Sequence, residues 1–148
     1  MMLYLDNAAT TLKKPLSVYA TLFKSTLFSG GNAGRGGHKM SMDAVRAIVD
    51  TQDLIAQLFN IKKAENIVFT QNATYALNTA ILGTMSNGGH IVVTEMDHNS
   101  VLRPACLVGN YTVVRADKSG YVHTEDVEKA VRKDTKLIVC THASNVCG

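Results

Sequence analysis

The sequence lacks several things that would fix its class at once. No apolar run approaches the ~20 residues that a bilayer-spanning helix needs, so no membrane association is expected. Asp6 arrives almost immediately, with no basic stretch followed by an apolar one, so no secretory leader is expected. Cysteine is sparse: the three, Cys106, Cys140 and Cys147, are odd in number and form no C-x-x-C pair. That pattern suits a reducing cytosol better than a disulfide framework, and the expected location is cytoplasmic. The five histidines, His38, His90, His98, His123 and His142, show no paired spacing for a metal, so none is expected. Net charge is only +3, with scattered lysines and arginines and no basic stripe interleaved with aromatics, which argues against nucleic acid. Repeats, linkers and low-complexity segments are absent too.

What remains is an ordinary globular composition, 46% apolar and 18% charged over 148 residues, enough for one domain with a real core. The whole of 1–148 reads as one domain or part of one. Leu3–Leu5 reads as a short strand. Pro15 opens a helix whose apolar face carries Leu16, Tyr19, Leu22, Phe23 and Leu27. The loop from Ser29 to His38 is too glycine-rich for helix or strand. It follows a helix and lacks the order of a phosphate-binding P-loop, which argues against a nucleotide cradle. Ser41 is the expected N-cap of a long helix bearing Val45, Ile48, Val49, Ile55, Ala56 and Phe59, with Gln52 its one polar break.

From Ile67 onward strands and helices alternate. Strands are expected at Ile67–Thr70, Ile91–Thr94, Tyr111–Val114 and Leu137–Thr141. Helices are expected around Ala73–Ile81, Val101–Val108 and from a Thr124 cap through Val131. Alternation of this kind implies a three-layer α/β/α sandwich with a mostly parallel sheet. Ligands of such sheets lie at the carboxyl ends of the strands. Three polar segments follow strands there: Gln71-Asn72-Ala73-Thr74, Asp97-His98-Asn99 and His142-Ala143-Ser144-Asn145. The first runs straight into a helix, whose free N–H groups favour an anion. His98 can stack on a flat ring or move protons, and the Asn145 amide can donate to a ligand oxygen. Taken singly, each has a plainer reading that is the stronger one: a helix cap, a surface histidine, a turn.

Taken in order, these segments resemble the N-terminal part of a cysteine desulfurase. More broadly they resemble the class V aminotransferase family of pyridoxal-phosphate enzymes. The resemblance is carried by Tyr4-Leu5-Asp6-Asn7-Ala8-Ala9-Thr10-Thr11 and by Gly31-Asn32-Ala33-Gly34-Arg35-Gly36-Gly37-His38. It continues through Ile67–Asn78, Glu95-Met96-Asp97-His98-Asn99-Ser100-Val101 and Thr141–Gly148. It implies a fold-type-I large domain, of which 1–148 would be the front part, stopping before the Schiff-base lysine and the acidic partner of the ring nitrogen. It also implies the site. Ala73 and Thr74 match the cofactor-phosphate contacts, and His98 the ring-stacking, catalytic histidine. Asn145 matches the donor to the ring oxygen. Asn7 and Ala8 match the lining of the substrate pocket. Arg35 and His38 match a loop at the active-site mouth, contributed by the neighbouring subunit of a homodimer.

The chain departs from the family pattern at Tyr75 and Asp97, where the family often has Glu, and at Cys147. Gly37-His38-Lys39 imitates the family's His-Lys pair but leads into the Ser41 helix, so Lys39 reads as a solvated or phosphate-steering lysine at a helix start. The activity implied is removal of sulfur from L-cysteine, leaving alanine and an enzyme persulfide for a sulfur-acceptor protein. A class V aminotransferase or a selenocysteine lyase is the alternative within enzymes. Outside them stands a non-catalytic fragment that only associates with a partner.

Overall fold

The computed structural model describes residues 3–7 and 10–144. They divide into two compact units, Met1–Phe69 and Thr70–Gly148.

The first unit is built from α1 (Leu16–Phe28), α2 (Lys39–Leu58) and a 3-10 turn at Ala64–Asn66. No residue of α1 is buried: the apolar face expected from its spacing exists, but Leu22 and Phe23 are exposed. In α2 only Ser41 and Ala56 are buried. Ser41 is not the N-cap. That place belongs to His38, whose Nδ1 accepts the Ser41 N–H at 3.4 Å. The serine hydroxyl is engaged elsewhere, donating to the carbonyls of Asn32 (2.7 Å) and Gly36 (2.8 Å) and so folding the glycine loop over the start of α2. Gly31 is obligatory there, because a Cβ would lie 2.3 Å from the Met40 carbonyl carbon. Just past the C-cap Phe59 stands Asn60, the one non-glycine residue with positive φ (54°) among those described, a conformation Asn tolerates.

Neither Leu3–Leu5 nor Ile67–Thr70 is a strand in the structure. Ile67 is extended (φ −93°, ψ 120°), but its carbonyl accepts Gln52 Nε2 at 2.7 Å instead of a ladder amide. The polar break in the α2 pattern is thus a tie to the segment that follows the 3-10 turn.

The second unit contains α3 (Ala73–Thr84), β1 (His90–Thr94), α4 (Asn99–Val108), β2 (Tyr111–Val114), α5 (Thr124–Ala130) and β3 (Thr135–Ile138). All pairings are parallel, in the order β2-β1-β3. β3 begins earlier than expected, and its pairing continues one step past Ile138 through Val139 N–H to the Val92 carbonyl at 2.9 Å. Thr124 is the first residue of α5, with His123 in the cap position. Every residue of the central strand β1 is buried. Ile91 and Val93 pack with Ile81 and Met85 from the α3 side and Val101 and Ala105 from α4. The step from β2 back past β1 to β3 reverses direction, so a right-handed crossover puts α5 on the opposite face. The fold is α/β with a parallel sheet, as the alternation implied.

His90, on β1, is fully buried. Its Nδ1 bonds Thr135 Oγ1 at 2.8 Å and its Nε2 bonds Thr112 Oγ1 at 2.9 Å, so one ring pins all three strands at their amino ends.

Candidate functional site

The carboxyl ends of the strands and the turns that follow them carry the polar residues. At the start of α3, Asn72 Oδ1 accepts the Tyr75 N–H at 2.8 Å, the normal N-cap bond. The N–H groups of Ala73 and Thr74, in the same first turn, have no partner among the described residues, and they lie at the positive end of the helix dipole. That is the donor set an anion needs.

At the start of α4 the N-cap is His98. Its Nδ1 accepts the Ser100 N–H at 3.1 Å and lies 3.0 Å from Ser100 Oγ. The residue before it, Asp97, is buried and fully bonded. Its Oδ2 accepts the Thr94 N–H (2.7 Å) and hydroxyl (3.0 Å), and its Oδ1 accepts the Thr141 hydroxyl at 2.8 Å. Asp97 therefore ties the turn after β1 to the segment after β3.

A second tie joins α3 to α4. Pro104 lies inside α4 and has no N–H for the carbonyl of Ser100, four residues earlier. Asn78 Nδ2 takes that carbonyl at 3.2 Å while also donating to the Thr74 carbonyl at 2.9 Å. Together these bonds hold the two helix starts against one cavity of about 410 Å³, lined by Thr74, Asn78, His98, Asn99, Ser100 and Arg103.

The structure thus places Thr74 and His98 on one cavity, with Ala73 in the same first turn as Thr74. Asn7, Arg35 and His38 belong to the first unit. There Asn7 Oδ1 accepts the Leu12 N–H at 3.2 Å, Arg35 is exposed and His38 caps α2. Ala8, Asn145 and Cys147 lie outside the described residues. Lys39 is exposed at the first position of α2. Asn78, Ser100 and Arg103 were missed from the sequence. The available signal was Pro104 inside an otherwise helical pattern: it vacates a carbonyl, and a vacated carbonyl calls for a donor nearby.

A second cavity, of about 450 Å³, opens on the α5 side of the sheet between Thr94, Tyr121, Val127, Cys140 and His142. Its rim includes the turn at Asp117, whose carboxyl is drawn down to about 2 by the Ser119 hydroxyl first and then by the N–H groups of Tyr121 and Ser119. No group of three or more His, Cys, Asp or Glu side chains able to hold a metal occurs among the described residues. No helix among them is long and apolar enough to cross a membrane.

A parallel sheet with its polar turns gathered at the strand ends, over residues that match the aminotransferase class-V family model from 3 to 148, defines the class: the chain belongs to that family. A probable cysteine desulfurase of Aeropyrum pernix is 34% identical over 154 residues, covering 98% of this chain and 37% of the relative. Among solved structures, a NifS-like protein superposes with a TM-score of 0.87 at 25% identity, over 98% of this chain and 41% of its own. SspA in complex with cysteine superposes at 0.85 with 26% identity, over 96% and 42%. The chain therefore spans about two fifths of the length of these relatives.

Proposed function

We propose that this chain forms the phosphate-binding and ring-binding part of a pyridoxal-phosphate cysteine desulfurase. The carrying observation is the cavity shared by Thr74 and His98, beside the first turn of α3, whose Ala73 and Thr74 N–H groups have no partner among the described residues. The cofactor's phosphate fits that donor set, since the first turn of α3 offers two amides, a hydroxyl and the helix dipole. Arg103 adds a cation to the same lining. His98 is held by its cap where a flat ring would lie against it, and Asn145 is the proposed donor to the ring oxygen. When bound, pyridoxal phosphate supplies an electron sink for negative charge developing on a substrate carbon. The chain's residues bind it and orient it.

The substrate we propose is L-cysteine, in keeping with the relatives' names and with the cysteine complex of SspA. Sulfur transfer to an acceptor protein, a cytoplasmic location and a homodimer in which Asn7, Ala8, Arg35 and His38 border the substrate pocket belong to the same proposal. No lysine lines the cavity among the described residues, so the chain alone is expected to hold the cofactor without a covalent bond and to turn over no L-cysteine. An absorbance titration with pyridoxal phosphate tests this. Saturable binding, weakened several-fold in Thr74→Val, is expected. Borohydride reduction and peptide mapping should find no stoichiometric label on Lys39. Absence of saturable binding would sink the proposal, as would steady alanine production by the isolated chain for the non-covalent part of it.

A further inference from the structure

We infer that His98 meets its ligand as a neutral hydrogen-bond donor through Nε2, locked in that tautomer by the first turn of α4. The inference deepens the reading of the Thr74–His98 cavity as a ligand site, and rests on it. A backbone amide can only donate, so the ring nitrogen facing Ser100 N–H at 3.1 Å must present a lone pair. In a neutral imidazole one nitrogen accepts and the other carries the proton. With Nδ1 accepting, the proton is on Nε2. The opposite tautomer would aim Nδ1–H at Ser100 Oγ, 3.0 Å away, and leave the amide of a buried residue facing another donor. Nε2 itself has no partner among the described residues, and the ring lines the cavity.

This form of the ring has no lone pair at Nε2. It can donate to an oxygen of the ligand or lie against an aromatic face, but it cannot take a proton there unless its own proton first leaves or moves to Nδ1. Moving the proton to Nδ1 breaks the helix cap. In this form His98 donates to its ligand through Nε2 and so orients and polarises it. Ser100 acts through His98, as a positioning residue.

The test reads the tautomer directly. The whole chain, labelled with ¹⁵N-histidine and free of cofactor, is examined at mildly alkaline pH by long-range proton–nitrogen correlation, and the His98 signals are assigned by their loss in His98→Gln. A protonated-type Nε2 with an unprotonated-type Nδ1 is expected. The reverse pattern, or two nitrogens averaged between the types, would overturn the inference. Ser100→Ala keeps the amide and is expected to keep the pattern, and a reversal there would also overturn it. Ser100→Pro removes the amide, so its nitrogen shifts should move toward the average. An unchanged pattern in a Ser100→Pro chain that is folded by circular dichroism would count against the amide as the lock. Should that variant not fold, the wild-type and Ser100→Ala spectra decide. No cofactor is present, so a failed pyridoxal-phosphate titration leaves this result standing, and a wrong tautomer leaves the titration standing.

Discussion

The two units use similar amounts of apolar sequence in opposite ways. In the second, β1 is buried from end to end and its Ile91–Val93 face is packed by α3 and α4. In the first, α1 is rich in Leu and Phe yet buries nothing, and α2 buries one serine and one alanine. Apolar content therefore does not locate stability; paired strands with helices against them do. The second unit should hold most of the cooperative stability of the chain, and the first should open at lower free energy.

The sharpest way to break that contrast is one truncation in each unit. Ile81→Ala, at a side chain 1% exposed in the core, should cost about 2–5 kcal/mol in a denaturant melt. A loss no larger than that of an exposed position would show that the core of the second unit is not where stability resides. Next in size is Asn78→Ala. It strips the donor from the Ser100 carbonyl and should cost about 1–3 kcal/mol while weakening any ligand of the cavity. Asn78→Asp, which keeps the shape but offers no amide donor, should do no better.

A pH effect comes third. Burial holds the His90 imidazole below its ordinary value of 6.5, helped by the Arg132 charge and opposed by Asp134. The unfolded chain therefore takes up a proton at His90 before the folded one does. Its stabilising contribution should be whole above pH 6.5, decline below that value, and be lost once the pH passes the depressed folded value. Thermal melts across that range, compared with His90→Gln, would show it as a difference in slope. Smallest of all, Leu22→Ala on α1 should change stability by no more than about 0.5 kcal/mol, and a larger loss would mean that α1 is not the idle surface its exposure suggests.

Much of the second unit was legible because its signals are local. Short apolar runs marked β1 and β2, at Ile91–Thr94 and Tyr111–Val114. The extended run at 67–70 looked the same in sequence, but a ladder requires a neighbour, and pairing is not a local property. The caps were misread for a related reason. Serine outranks histidine as an N-cap by propensity, but the hydroxyl of Ser41 was required by two loop carbonyls, and an imidazole took its place. Histidine occupies the N-cap position of α2, α4 and α5, so a histidine before a helix deserved more weight than a surface reading gave it. In the candidate site, Thr74 was readable from its place at the start of a helix and His98 from its place after a strand. The residues that join them were not, because Asn78 and Ser100 meet across 22 positions of chain.

Pro104 turns the usual view of helix-breaking residues around. Its missing amide leaves a socket in one helix, and the neighbouring helix plugs into it. Pro104→Ala would seal that socket from within. α4 would gain an internal bond and become a better helix, while its grip on α3 loosened, so the damage would arise from an interaction added.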